Sequence, residues 1–115
     1  MIVVRTFRAA MKSHPFCEHV LEQLALLGPR LRARAMFGGH GLYVGETFFG
    51  IVWKGRLFFK TNATTMLRYL ERGMEPFQPS PKQILKHYYE VPIEVIERRE
   101  ELLAWAQEAV DISGS

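Results

Sequence analysis

The sequence contains a single cysteine, Cys17, so no disulfide can form within the chain. It has no long apolar run, no apolar leader segment, and no internal repeat or low-complexity tract. Small secreted domains commonly depend on disulfides, whereas cytoplasmic proteins keep their thiols reduced. These absences predict a soluble protein of a reducing cytoplasm that has no membrane partner.

Catalytic and metal-binding patterns are also missing from the sequence. His14 and His19 are five residues apart and point in different directions on a helix, so they do not form a zinc-binding pair. His40 lies among glycines, His87 precedes two tyrosines, and Cys17 has no second cysteine to react with. We therefore expect no enzyme activity, no catalytic residue, no metal site, no cofactor and no small-molecule ligand.

The charge of the chain is unevenly distributed. The 115 residues carry a net charge of +3, and 48% of them are hydrophobic, which is enough for one domain with its own core. Residues 1–60 contain nine Lys or Arg and three Asp or Glu, whereas residues 61–115 contain six and nine. An anionic partner for the first half would explain this asymmetry, and so would an ordinary solvated surface.

Apolar residues near the start of the chain follow a helical period. Phe16, Val20 and Leu24 recur every four residues, and Gly28 provides a helix end. From Arg30 the period changes to two, as in a half-buried strand. Three further β-rich runs follow, at residues 42–44, 48–53 and 56–60. Their short junctions suit tight hairpins, so the sequence predicts a four-strand antiparallel meander.

The second half of the sequence predicts two more helices and one more strand. Thr61 or Asn62 can cap a helix that runs to about Arg72. Residues 74–83 contain three prolines and are interpreted as a loop, which is followed by a short strand from Tyr88 to Val91. An apolar stripe near the C-terminus then indicates a final helix.

Together these elements predict an α+β fold with two layers and a five-stranded, mainly antiparallel sheet. Their order is helix, four-strand meander, helix, strand, helix. We expect residues 13–112 to form this single domain and residues 1–12 to be a peripheral N-terminal arm.

A two-residue turn at Lys54-Gly55 would fix the register of the last hairpin in the meander. Trp53 then pairs with Arg56 and Gly50 with Phe59, where the aromatic ring would cover the space left by the glycine. Simple alternation places Phe48, Val52, Leu57 and Phe59 on one face. The other face, which is our candidate interaction face, holds Phe49, Ile51, Trp53, Arg56, Phe58 and Lys60.

The candidate interaction face is either a second core or an exposed patch, because a two-layer fold covers one sheet face with helices. Large exposed apolar patches usually bind a partner. The flanking cations suit either an acidic protein surface or single-stranded nucleic acid. We expect a protein partner, through an acidic surface or self-association, and nucleic acid is the alternative. Arg30, Arg32 and Arg34 form a basic stripe on the first strand. These arginines either form a solvated edge of the sheet, or Arg34 is held in place by Glu90 or by a backbone carbonyl.

The most specific motif runs from Arg34 to Tyr43 and is rich in glycine. No helix follows it directly, so it is not a phosphate-binding loop of a nucleotide-binding protein. Its residues are interpreted as structural, together with two later glycines. They are Arg34, Met36, Phe37, Gly38, Gly39, Gly41, Gly50 and Gly55.

Further blocks occur in a matching order, at Gly55–Lys60, Tyr88–Pro92 and Leu102–Ala106. With these blocks the chain resembles the TfoX N-terminal domain family of bacterial competence regulators, over residues from about Phe16 to Val110. The resemblance implies a small two-layer α/β domain and a regulatory module that acts in transcription regulation. From the residues themselves we expect this module to bind a partner through its sheet face. Full-length regulators of the family continue into a C-terminal domain, so this chain is expected to be of the stand-alone N-terminal-domain type.

Overall fold

The computed structural model describes residues 15–114, so the predicted N-terminal arm at residues 1–12 lies outside the described residues. Four helices are present in the described part, namely α1 (Pro15–Gln23), α2 (Met66–Glu71), α3 (Ile93–Ile96) and α4 (Arg99–Ser113). Six strands form one sheet, namely β1 (Leu31–Met36), β2 (Gly39–Val44), β3 (Thr47–Trp53), β4 (Arg56–Lys60), β5 (Pro76–Ser80) and β6 (Gln83–Glu90). The sheet is antiparallel with the order β1-β2-β3-β4-β6-β5, and the α+β prediction is confirmed.

The helices cover one face of the sheet and enclose the main core. Helix α4 packs across β3 and β4, and α1 packs against α4. Fully buried side chains from both layers meet there, among them Val20, Leu42, Phe49, Phe59, Leu102 and Ala106. We call the opposite sheet face, which carries no helix, the second face. Within residues 15–114, none of the helices is both long and apolar enough to cross a bilayer.

The predicted turn at Lys54-Gly55 is confirmed by the backbone. Both residues have positive φ angles, 49° and 75°, as a two-residue hairpin turn that matches the twist of its strands requires. Trp53 therefore pairs with Arg56, and Gly50 pairs with Phe59.

Residues 74–83 are not the loop that the sequence predicted. They contain β5 and the start of β6, so the sheet has six strands instead of five, and the final strand begins at Gln83 instead of Tyr88. The prolines misled the prediction, because Pro76 and Pro79 lie in an edge strand. One side of an edge strand has no neighbour, so a residue without an N–H group is tolerated there.

A β-bulge in β3 reverses the predicted positions of two phenylalanines. Leu42 pairs with Gly50, but the next residue of β2, Tyr43, pairs with Phe48, which leaves Phe49 as an extra residue. A bulge of this kind breaks the alternation of side chains along the strand. The Phe49 side chain therefore enters the helix-side core, and Phe48 lies on the second face. Our assignment of Phe49 to the candidate interaction face was wrong for this reason.

The sheet is so strongly curled that its two edges approach each other over the second face. Phe37, in the turn after edge strand β1, has its ring centroid 5.8 Å from that of Phe77 in edge strand β5. In a flat sheet these two edge strands would be about 24 Å apart, since neighbouring strands are about 4.8 Å apart. Bulges between β2 and β3 and between β5 and β6 accompany the curl.

The close approach at Gly50 gives a stability prediction. A Cβ added there would lie 2.9 Å from the Phe58 carbonyl oxygen and 3.1 Å from the Phe59 ring. We expect Gly50→Val to destabilise the domain by about 1–3 kcal/mol through overpacking, and Gly50→Ala to cost less. Chemical denaturation of both variants measures this. If strand propensity dominated instead, Val would raise the denaturation midpoint at unchanged slope.

Candidate interaction surface

One end of the second face is closed by Phe77 of β5. The Phe77 ring packs on Phe58 with a centroid separation of 4.8 Å, and Ile51 lies in the same cluster. Ile51 is fully buried and Phe58 is 3% exposed. These two predicted interface residues therefore form a small second core, and neither offers surface to a partner.

Trp53 covers the side of this second core. Its ring centroid lies 5.3 Å from that of Phe77 in an edge-to-face arrangement. The indole Nε1 donates a hydrogen bond to the Phe37 carbonyl oxygen at 3.1 Å, and the Lys54 ammonium lies 4.7 Å from the ring centroid. Trp53 therefore ties the β1–β2 turn to the end of β3 while it keeps part of its ring exposed.

Arg56 lies beside Trp53 but belongs to a polar hollow. Its Nε is 3.9 Å from the Glu90 carboxylate, and Glu75 and Gln78 line the same hollow. The pair is solvent-accessible, because the Arg56 side chain is 61% exposed and that of Glu90 is 26% exposed. Such pairs contribute little to stability, about 0–1 kcal/mol. Arg56 is thus accessible, and a carboxylate already neutralises part of its charge.

The other end of the second face carries a row of three partly exposed rings, Tyr43, Phe48 and Tyr88, which we call the ring row. Phe48 lies in the middle, with centroid separations of 5.2 Å to Tyr43 and 5.4 Å to Tyr88. The angles between ring planes are only 29° and 33°. The three rings thus form a nearly continuous aromatic surface across β2, β3 and β6.

Gly41 makes this close packing of rings feasible. A Cβ at this position would lie 2.5 Å from the Met36 sulfur, 3.1 Å from the Phe48 ring and 3.2 Å from the Tyr43 ring. A larger residue would therefore push the rings apart. This gives a packing reason for Met36 and Gly41, two residues that the sequence singled out as structural.

Cations flank both ends of the ring row. The guanidinium carbons of Arg32 and Arg34 lie 4.9 and 5.4 Å from the Tyr43 ring centroid, and the Lys60 ammonium lies 5.3 Å from that of Tyr88. At such exposed sites a cation–π contact contributes about 0.5–1 kcal/mol. The row therefore combines apolar ring surface with positive charge on either side.

The three arginines of the predicted basic stripe make different contacts in the structure. Arg32 donates from Nε to the Gly45 carbonyl oxygen at 3.1 Å, and Arg30 packs against the same turn. Arg34 contacts Tyr43 and not Glu90, which pairs with Arg56 instead. The proposed holding of Arg34 by Glu90 was therefore wrong, because Glu90 lies at the opposite end of the second face.

Tyr88 stays neutral at physiological pH. Burial, with a smaller contribution from Tyr43, raises the pKa of Tyr88 to about 12. The Tyr88 phenol therefore remains a hydrogen-bond donor and adds no negative charge beside Lys60. The electrostatic character of the row is set by its cations.

The described residues show neither a metal-binding cluster nor an activated thiol. Within residues 15–114, no three His, Cys, Asp or Glu side chains are placed to hold a metal ion. Burial, and to a lesser extent the Glu18 carboxylate, raises the pKa of the Cys17 thiol. A thiol of this kind is a poor nucleophile, which favours a packing role for Cys17.

Sequence reasoning missed the ring row as a site. Tyr43 and Tyr88 were assigned to strands without a functional role, and Phe48 was placed on the helix-covered face. The register of the first hairpin could have revealed the pairing of Arg32 with Tyr43, since Phe37 and Gly38 form a two-residue turn with positive φ angles of 55° and 79°. No local signal would have revealed the bulge.

Comparison with known families agrees with this architecture. The family model described as the TfoX N-terminal domain matches residues 22–113, which include all six strands and the whole ring row. The chain belongs to the TfoX N-terminal domain family. The DNA transformation protein TfoX1 of Aliivibrio fischeri (strain ATCC 700601 / ES114) is 33% identical over 87 residues, which cover 73% of this chain. The match covers 41% of that relative, so the chain corresponds to less than half of its length.

Substitutions of Trp53 and Arg56 should distinguish a packing residue from a surface residue at the closed end of the second face. We expect Trp53→Ala to destabilise the domain by at least about 2 kcal/mol, because it uncovers the Phe77 cluster. Arg56→Ala should cost less than about 1 kcal/mol, since it removes only an exposed ion pair. Denaturation curves of the two single variants measure the difference. Equal and small losses would show that Trp53 does not cover a second core.

Proposed function

We propose that this TfoX N-terminal domain is a non-enzymatic regulatory module of the cytoplasm that binds an anionic partner through its ring row. The observation that carries the proposal is the combination of three adjacent rings with Arg34 and Lys60. Within residues 15–114 neither cation forms an ion pair with a carboxylate. Both charges are therefore free to contact an acidic ligand.

The composition of the ring row is typical of binding surfaces. Tyrosine and arginine are enriched among the residues that dominate binding energy, and tyrosine offers a large contact area at a low cost in conformational freedom. The closed end contrasts with it, since its apolar residues are buried under Phe77. Binding is therefore proposed for the open end, whereas Trp53 and Arg56 lie at the closed end.

The relative's name connects that protein with DNA transformation, and we extend a regulatory role of this kind to the present chain. Such a role needs recognition of a partner, and it requires neither a nucleophile nor a metal. The raised thiol pKa of Cys17 agrees with a function of this type. Transcription regulation in competence would then follow from which partner the ring row binds.

A charge reversal tests the proposal. The double variant Arg34→Glu, Lys60→Glu should lose most of the partner captured from the native lysate, because both flanking charges become repulsive. Arg98→Glu is the matched control, since Arg98 is an exposed cation at the start of α4 in the helix layer. Pull-downs with and without nuclease are compared by mass spectrometry and nucleic-acid staining. Retention of the same captured material by the double variant would refute the proposed surface.

A further inference from the structure

We infer that the ligand of the ring row is a single strand of nucleic acid, bound with its bases on the rings and its phosphates at the flanking cations. This inference rests on the proposed function, because it names the partner class for the same surface. Its support comes from the spacing of the rings, the placement of the cations and the shape of the second face.

The ring row has the form of a stacking platform. Phe48 is flanked by two tyrosines whose ring planes differ from its own by 29° and 33°, and at centroid separations of 5.2 and 5.4 Å such rings overlap as an offset stack. Successive unpaired bases stack on aromatic side chains in proteins that bind single strands without sequence preference. The partly exposed rings of this stack provide a surface on which unpaired bases can continue the stacking.

The cations are placed where the backbone of such a strand would pass. Arg32 and Arg34 lie at the Tyr43 end, and Lys60 lies at the Tyr88 end. A groove of about 250 Å³ continues past Lys60 along β6 and is lined by Lys86, Tyr88 and the exposed side chain of Ile84. Positive charge therefore borders the rings at both ends and continues into the groove, which is the arrangement that a chain of phosphates with interleaved bases requires.

The open end of the second face favours a single strand over a duplex or a protein. Phe77 closes the far end of this face, and the rings at the open end stay partly exposed. A duplex keeps its bases stacked on one another, so their faces are not available to the rings. An acidic protein surface would satisfy the cations but does not by itself account for three adjacent rings.

Binding should be tolerant of sequence and sensitive to salt. The row offers ring faces and cations, and its two phenol groups provide few directional contacts for reading base edges. Arg32 already lies 3.7 Å from the Glu46 carboxylate. If Arg34 and Lys60 each neutralise one phosphate, the logarithm of the affinity should fall with the logarithm of the salt concentration with a slope of about −1.4, from about −0.7 per phosphate for single strands.

Fluorescence anisotropy with labelled oligothymidylate, about eight nucleotides long, tests the inference directly. The competing probes are the same strand without bases, a duplex of equal length, and polyglutamate. We expect the intact strand to bind at least tenfold more tightly than each of them. Equal binding of the abasic and intact strands would overturn the inference, because charge alone would then explain the affinity, and tighter binding of polyglutamate would indicate a protein partner.

Matched variants assign the binding to the ring row. Phe48→Leu keeps most of the apolar volume but removes the central ring, and should weaken binding of the intact strand at least fivefold while leaving abasic binding unchanged. Tyr43→Leu should act in the same way and replaces Phe48→Leu if the latter fails to fold. Arg98→Ala is the control and should bind like the wild type. Unchanged binding by the folded ring variant would overturn the inference.

The outcomes also separate this inference from the proposed function. If no oligonucleotide binds even at low salt, while nuclease-resistant capture is still lost in the Arg34→Glu, Lys60→Glu variant, the anionic partner is a protein and only the nucleic-acid inference fails. If that variant still binds the oligonucleotide and still captures partners, the ring row is not the binding surface and both proposals fail.

Discussion

The β-bulge at Phe49 decides which side chains of β3 face the helices and which face away. In regular alternation Phe49 would share a face with Ile51, and Phe48 would lie under α4. The extra residue reverses both positions, so Phe49 completes the helix-side core next to Phe59, with a ring separation of 5.9 Å. Phe48 then becomes the middle ring of the ring row, and that surface exists only because of the bulge.

The curl of the sheet divides the second face into two parts with different roles. At one end β5 folds over and buries Ile51 and Phe58 beneath Phe77, which gives a small domain a second cluster of apolar side chains. At the other end no strand folds over, and the rings stay partly exposed between cations. Stability and binding are therefore assigned to opposite ends of one sheet face, and substitutions at the two ends should have separable effects.

Local chemistry allowed much of the fold to be predicted from the sequence. Lys54 and Gly55 are residues that suit a two-residue hairpin turn. Counting residues outward from that turn gave the pairing of Gly50 with Phe59. The β5–β6 hairpin was missed because its prolines were interpreted as loop residues. Proline is tolerated in an edge strand, but the sequence alone does not show which strand lies at the edge of the sheet. The bulge was missed because it depends on packing between β2, β3 and the helix layer. Three of the six residues of the candidate interaction face are buried, Phe49 because of the bulge and Ile51 and Phe58 because the missed strand β5 covers them.

The measurement that tests this account most directly is a set of nuclear Overhauser effects between aromatic rings of the isotopically labelled protein. The account predicts cross-peaks from the Phe48 ring to the Tyr43 and Tyr88 rings, and from the Phe49 ring to that of Phe59. Cross-peaks that place the Phe49 ring beside Ile51 and Phe58, with Phe48 against the helices, would show a regular strand. That result would contradict the bulge, and with it the ring row.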